Sequence, residues 1–396
     1  MIDAKTTEEM VALYIGWDEL EKQLANQWGT EREKIIDFNL LKPRRGEEFR
    51  SRPQVLDGLE DLYNRVGSTN NEEEFIKAKL NASMYFIRAL MGEIIPFPEY
   101  VKNLTGLTPK LIPEDVIQKH KEILYARMED VGYKPKHETF EKFFKRIVIS
   151  KEEALKQVEM TRQTVPHLVQ SALGFGDLAI DYEIKNEEVD DFWGAWTSKE
   201  PGQPFLLRFN FHPKKHWRNG DIKRISVHEY GHFVHGQNLM NGISTGQTNP
   251  FIGITTVHDP HTFSGEGSAN AILHLPEVRK NLSKYELLSR DRVIAANYLS
   301  NNALIWANEG KDEGELIEYF RGFPFLTKEA LLDSFARWKK PSRKAYEYVY
   351  GRSHYMHRQL LGKLPIEKQR EFLRYEMTRY RMPERLIEFA NRLFSD

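Results

Sequence analysis

Residues 228–236 read HEYGHFVHG, and His228, Glu229 and His232 form an HExxH string within them. On an α-helix positions i and i+4 share a face, so the two imidazoles can meet a single metal ion. Glu229 follows His228 by about 100° around the helix, where it can draw a proton from water held at that ion. Two histidines and a carboxylate suit Zn²⁺, which polarises a carbonyl and acidifies water. The chemistry offered by this spacing is amide hydrolysis. Apolar residues at Ile225, Val227, Phe233 and Val234 flank the string, placing it on a partly buried helix, where unpaired polar groups are costly. Gly231 lowers helix stability by about 1 kcal/mol relative to alanine, which implies that another element packs closely against it.

A catalytic zinc site needs a third protein ligand, and its place in the chain separates the possible patterns. A metzincin pattern requires glycine at 235 and histidine at 238, whereas this chain has His235 and Asn238. A thermolysin-like pattern takes a glutamate about twenty residues beyond the second histidine, yet no Asp or Glu occurs from Phe233 to His258. The first acids beyond that gap are Asp259 and Glu266. Glu266 precedes the helix formers Ala269–Leu275, so it is expected to project from the first turn of a helix crossing the motif helix, as the third ligand. An acid there could instead serve only the helix dipole. His258, Asp259 and His261 compete for the role but lie in a proline-containing loop that reads as a wall of the site.

The HEYGHFVHG string resembles the HExGHxxHG pattern of the thimet oligopeptidase and oligoendopeptidase F group, which are glutamate-ligand zincins with largely helical folds. Later segments resemble the domain of unknown function 885 family. Glu266-Gly267-Ser268-Ala269 is similar to its EGWA-type third-ligand segment, with serine in place of tryptophan. Pro341, Ala345, Tyr348, Gly351 and Arg358 are similar to its C-terminal element of P, A, YxxG and R. The proline-glycine insertion of that family's motif helix is absent, and Arg358 falls one place early. The resemblance covers residues 100–360 and implies zinc peptidase chemistry, with Tyr348 matching the YxxG tyrosine.

A tetrahedral intermediate needs a hydrogen-bond donor aimed at its oxyanion, and phenol or imidazole groups from a distant segment can supply one. The stretch Arg343–Leu361 carries Tyr346, Tyr348, Tyr350, His354, Tyr355 and His357. By its likeness to the YxxG tyrosine, Tyr348 is the expected donor, with Tyr350 and His354, which share a face at i and i+4, as the second choice. Arg352 could grip a substrate carboxylate. Asp181–Trp196 and Phe205–Phe211 read as strands joined across Glu200-Pro201-Gly202. Phe205–Phe211 is the expected edge strand for an extended peptide, with Trp196 and Asn210 as contacts; an ordinary hairpin covering the core is the alternative.

The elements that must carry these groups are mostly helical. Met10–Gln27, Phe75–Met91 and Glu114–Asp130 show apolar residues at helical spacing. Thr6-x-x-Glu9 and Ser150-x-x-Glu153 read as capping boxes, and Pro113 as a first helical residue. The expected fold is mostly α, with two helical lobes flanking a deep cleft and a small antiparallel sheet beside the motif helix. Its divisions are a helical N-terminal lobe, 1–170, and a catalytic lobe, 171–396, consistent with 396 residues.

A net charge of −1 gives no electrostatic reason to expect nucleic acid. The absence of cysteine removes disulfides, thiolate ligands and a cysteine nucleophile. No apolar run reaches about 18 residues, and the first residues do not read as a signal peptide, so no membrane partner and a cytoplasmic location are expected. There is no Walker loop, GxSxG elbow or complete GxGxxG. The reading is a one-zinc peptidase acting on peptides, with hydrolysis of a non-peptide amide, or a binding protein with a relict motif, as alternatives.

Overall fold

The computed structural model describes residues 2–191, 193–321, 323 and 328–395. The first half of the chain runs α1 (Ala4–Trp28), β1 (Ile36–Asn39), α2 (Arg52–Arg65), α3 (Asn71–Leu90), α4 (Phe97–Thr105), α5 (Glu114–Asp130), α6 (Phe140–Arg146) and α7 (Lys151–Leu173). Next come β2 (Tyr182–Glu187), β3 (Ala195–Lys199), β4 (Phe205–Asn210), α8 (Asp221–Ser244), a 3₁₀ turn at Pro250–Gly253 and β5 (Ile254–Thr256). The rest is helical: α9 (His261–Ile272), α10 (Pro276–Arg279), α11 (Lys284–Asn308), α12 (Glu313–Arg321), α13 (Lys328–Trp338), α14 (Pro341–Lys363), α15 (Ile366–Thr378) and α16 (Pro383–Ser395).

The expected α-rich architecture is present, and local chemistry sets most helix starts. The Ser150 side chain accepts the Glu153 amide at the start of α7, which is half of the expected capping box; the Glu153 carboxylate accepts from Gln157. At α1 the cap lies three residues earlier than expected: Asp3 accepts the Thr6 amide, and Thr6 lies inside the first turn. Pro113 occupies the cap position just before α5. The expected division at residue 170 falls inside α7, and one apolar cluster draws on residues from Met10 to Leu393. No helix among the described residues is long and apolar enough to cross a membrane.

The sheet differs from expectation in two respects. It is mixed rather than antiparallel, with five strands in the order β2-β4-β3-β1-β5. Moreover β4 is an interior strand, parallel to β2 and antiparallel to β3. Alternation along β4 explains its place: Phe205, Leu207 and Phe209 are buried, and Phe205 packs its ring 5.1 Å from Phe233 of α8. The segment between β2 and β3 returns the chain to the far side of β4, so β3 rather than β4 meets the cleft. Strand β3 pairs with β1 at Lys199 opposite Phe38, and among the described residues its Ala195–Thr197 portion pairs on the β4 side alone.

Helix α8 is fixed at its start by a glycine and an aspartate. Gly220 has φ +89°, and a Cβ there would lie 2.4 Å from the backbone of Tyr285 at the start of α11. Asp221 places its carboxylate at the positive end of the helix, accepting from the Arg218 amide, the Ser289 hydroxyl and Arg292. Gly220→Ala should therefore destabilise the protein by at least about 2 kcal/mol, through positive-φ strain together with overpacking. Denaturant unfolding monitored by far-UV circular dichroism measures this; an unchanged midpoint would show that the α8–α11 contact is not tight.

Candidate metal centre

Helix α8 presents His228 and His232 one turn apart, with their Nε2 atoms 3.3 Å from each other. Helix α9 crosses it and delivers Glu266, whose Oε2 lies 3.2 Å from His228 Nε2 and whose Oε1 lies 3.8 Å from His232 Nε2. These three groups could hold a metal ion: one ligand atom from each falls within 4.8 Å of the others. Glu266 sits in the second turn of α9 rather than the first, because the helix begins at His261. The close approach depends on Gly231, where a Cβ would lie 2.7 Å from Ile272 Cδ1 and 3.4 Å from Ala269 Cα. On its other side α9 meets α14, and a Cβ on Gly267 would fall 2.1 Å from the His357 ring. Small residues thus let α9 lie between two helices with Glu266 facing the histidines.

Charge follows from this enclosure. Burial would raise the Glu266 carboxyl, but the two histidines and the Tyr346 hydroxyl hold it down to about 2. Burial pulls His232 down to about 4. For His228 burial also opposes the charged form, yet the Glu266 hydrogen bond and the charges of Glu229 and Glu266 outweigh it and raise its pKa. Glu229 is raised, chiefly by burial, and its Oε2 accepts a 3.0 Å hydrogen bond from Thr197 of β3.

The histidines, Glu229 and Glu266 open on a cleft of about 450 Å³. Gly194–Thr197 form one wall, and Arg343, Tyr346, Glu347 and Tyr350 of α14 form another. Tyr346 donates to Glu266 Oε1 at 3.0 Å, and the Tyr350 ring stands edge-on to it at 5.1 Å. Trp196 and Tyr350, two of the residues expected to meet a substrate, both line the cleft.

Four other expected residues do not line it. Tyr348 is fully buried on another face of α14, where its hydroxyl accepts the Lys110 amide at 3.3 Å. Two residues amount to about 200° of helix rotation, so Tyr346 and Tyr350 cannot share a face with Tyr348. Arg352, one turn beyond Tyr348, lies over the Tyr355 ring. His354 is one turn beyond Tyr350; it is buried, and its Nε2 meets that of the half-buried His274 at 3.0 Å. Asn210 is a buried clip: its side chain donates to the carbonyls of Val189 and Trp193 and accepts the amides of Val189 and His212.

Among the competing ligands, Asp259 is committed elsewhere, 2.8 Å from Lys79 Nζ, with both side chains fully buried. Burial would raise the Asp259 carboxyl, but Lys79 and His261 hold it well below the usual carboxylate range. His258 bonds Ser83 at 2.8 Å and stacks on Phe86. His261 does reach the cleft wall, stacked on Tyr380. Tyr346, which the sequence offers only as one aromatic among several, and Thr197 and Arg224, which carry no sequence expectation, also line the cleft. The spacing 343, 346, 347, 350 was the available signal for the α14 face, and position 224, four before His228, for the α8 stripe. Thr197 had no sequence signal, because only the sheet brings it to Glu229.

No family model and no curated protein matches this chain. Among solved structures, a chain from Colwellia psychrerythraea described as a "putative lipoprotein" superposes with a TM-score of 0.55 at 12% identity. The match covers 87% of this chain and 68% of that one; likeness at this identity shows a shared fold.

Divalent-metal uptake should be lost in His228→Ala, His232→Ala and Glu266→Ala and retained in Asp259→Asn, read by elemental analysis after dialysis. Stoichiometric metal in Glu266→Ala would remove Glu266 from the ligand set. Uptake must displace the His228 proton, so apparent affinity should weaken as pH falls through the raised His228 pKa, by up to about tenfold per unit for one proton. Titrations between pH 8 and 5 that show no such weakening would exclude this linkage.

Proposed function

We propose that the chain is a zinc-dependent peptidase. What carries this reading is the convergence of His228, His232 and Glu266 on a cleft that Glu229 also faces, beside a strand portion paired on one side only. The donor set and its spacing fit zinc: ligands at 2.0–2.1 Å in a tetrahedron lie about 3.3 Å apart, close to the 3.2, 3.3 and 3.8 Å separations here. A bound zinc ion would supply Lewis acidity at the scissile carbonyl and acidify water.

The chain's own residues divide the remaining work. Glu229 takes the proton of the attacking water on its carboxylate and returns it to the leaving amine. Its enclosure raises its basicity, and the Thr197 hydroxyl fixes one oxygen so that the other can face the reacting water. Tyr350 is the preferred donor to the developing oxyanion, since Tyr346 already bonds Glu266 and serves to orient it. Ala195–Thr197 offer main-chain groups to an extended peptide on the side away from β4, and Trp196 supplies an apolar surface there.

Glu229→Gln should retain zinc and lose peptide hydrolysis in a mass-spectrometric digest of a mixed peptide library. Undiminished hydrolysis by that variant would rule out the mechanism. Tyr350→Phe should lower kcat by about 10²–10³-fold, whereas Tyr348→Phe should leave kcat within about threefold. The reverse pattern would return the oxyanion role to Tyr348.

A further inference from the structure

Residues 224, 228 and 232 lie at i, i+4 and i+8 on α8 and form a single stripe along the cleft. Arg224 is the member with no assigned task. Its Nε donates to the Ser289 hydroxyl at 3.1 Å, which in turn donates to Asp221. This fixes the guanidinium plane without giving it a carboxylate partner, because Asp221 is paired with Arg292 at 3.0 Å. Among the described residues Arg224 makes no ion pair, and its terminal nitrogens form no hydrogen bond to the protein. Burial lowers its pKa to about 10, with Asp221 opposing that shift, so it stays charged at neutral pH. Asn270, Val293 and Asn297 line the same cleft. A fixed, charged fork open on a cleft is a carboxylate receptor in chemical terms.

Its distance from the chemistry sets what it reads. Four helical residues span about 6 Å, and an extended peptide advances about 3.3 Å per residue. We propose that Arg224 binds a substrate carboxylate one or two residues from the bond that is cut, making the enzyme selective for peptides with a free carboxylate there. This specificity rests on the peptidase reading above. The carboxylate can be a C-terminal one, which would make the enzyme a carboxypeptidase or a dipeptidyl carboxypeptidase, or an aspartate or glutamate side chain.

The test uses the zinc-loaded full chain and N-acetylated pentapeptides, prepared as free acids and as C-terminal amides, with Asp or Asn at each position. The wild-type protein should favour carboxylate-bearing peptides by about 10²-fold in kcat/KM. Preference for free acids identifies the terminal carboxylate, and preference for Asp over Asn within the amides identifies a side chain. Arg224→Met should abolish the preference mainly through KM, leave neutral peptides within about threefold, and retain zinc; Arg224→Lys should restore part of it. Equal cleavage of acids, amides, Asp and Asn peptides by the wild type would overturn the proposal while leaving the peptidase reading intact, as would an unchanged preference in Arg224→Met. Calorimetric titration of the same peptides into Glu229→Gln separates binding from turnover. Arg224-dependent binding of acids without cleavage by the wild type would sink the peptidase reading and keep the carboxylate site.

Discussion

Everything at the candidate centre depends on how closely α9 can cross α8. A Cβ at Gly231 would press into Ile272, and one at Gly267 would overlap the His357 ring. The segment SGEGSANA therefore gives up helix propensity, about 1 kcal/mol for each interior glycine, to let three helices approach one another. The exchange brings Glu266 within 3.2 Å of His228. Without that approach the two histidines of α8 would be a helical pair with no partner.

The crossing also explains the charge distribution around it. Ionised groups removed from water must be matched, and the interior meets this requirement in pairs. Asp221 takes Arg292, Asp259 takes Lys79, and His357 takes Glu376. Glu266 is matched by the histidines and Tyr346, a neutralisation that a divalent ion would strengthen. Asp259, an acid near the motif in sequence, is thereby diverted into a support for the cleft wall, since it also lies 3.1 Å from His261 Nδ1. Arg224 stands apart from this pairing, held by Ser289 through one nitrogen and open on the cleft through the others.

Much of the site could be read from residue order because helical periodicity is local. The i, i+4 spacing of His228 and His232 and the adjacent Glu229 required only that the segment be a helix. The acid-free stretch from Phe233 to His258 left few third ligands, and Glu266 was among them. The glycine at 231 announced a close neighbour. Errors arose wherever a choice depended on which face of an element was turned inward. Within α14, motif likeness points to Tyr348, yet Tyr346 and Tyr350 face the cleft. Asn210 and His354 are polar residues near the right elements, but their partners are backbone groups and another histidine.

The strands show the same limit. Their existence was legible from composition, but their order was not, because pairing joins segments far apart in the chain. Phe38 meets Lys199, and Ile36 meets Thr256, contacts that no local pattern encodes. That order puts the strand portion paired on one side at β3 rather than β4 and brings Thr197 to Glu229. The sequence by itself determined the donor types and their helical phase, since both follow from side-chain chemistry and the 3.6-residue turn. Only the tertiary structure decided which acid meets the two histidines and which tyrosines and strand line the cleft, because burial and nonlocal pairing commit each polar group to one partner.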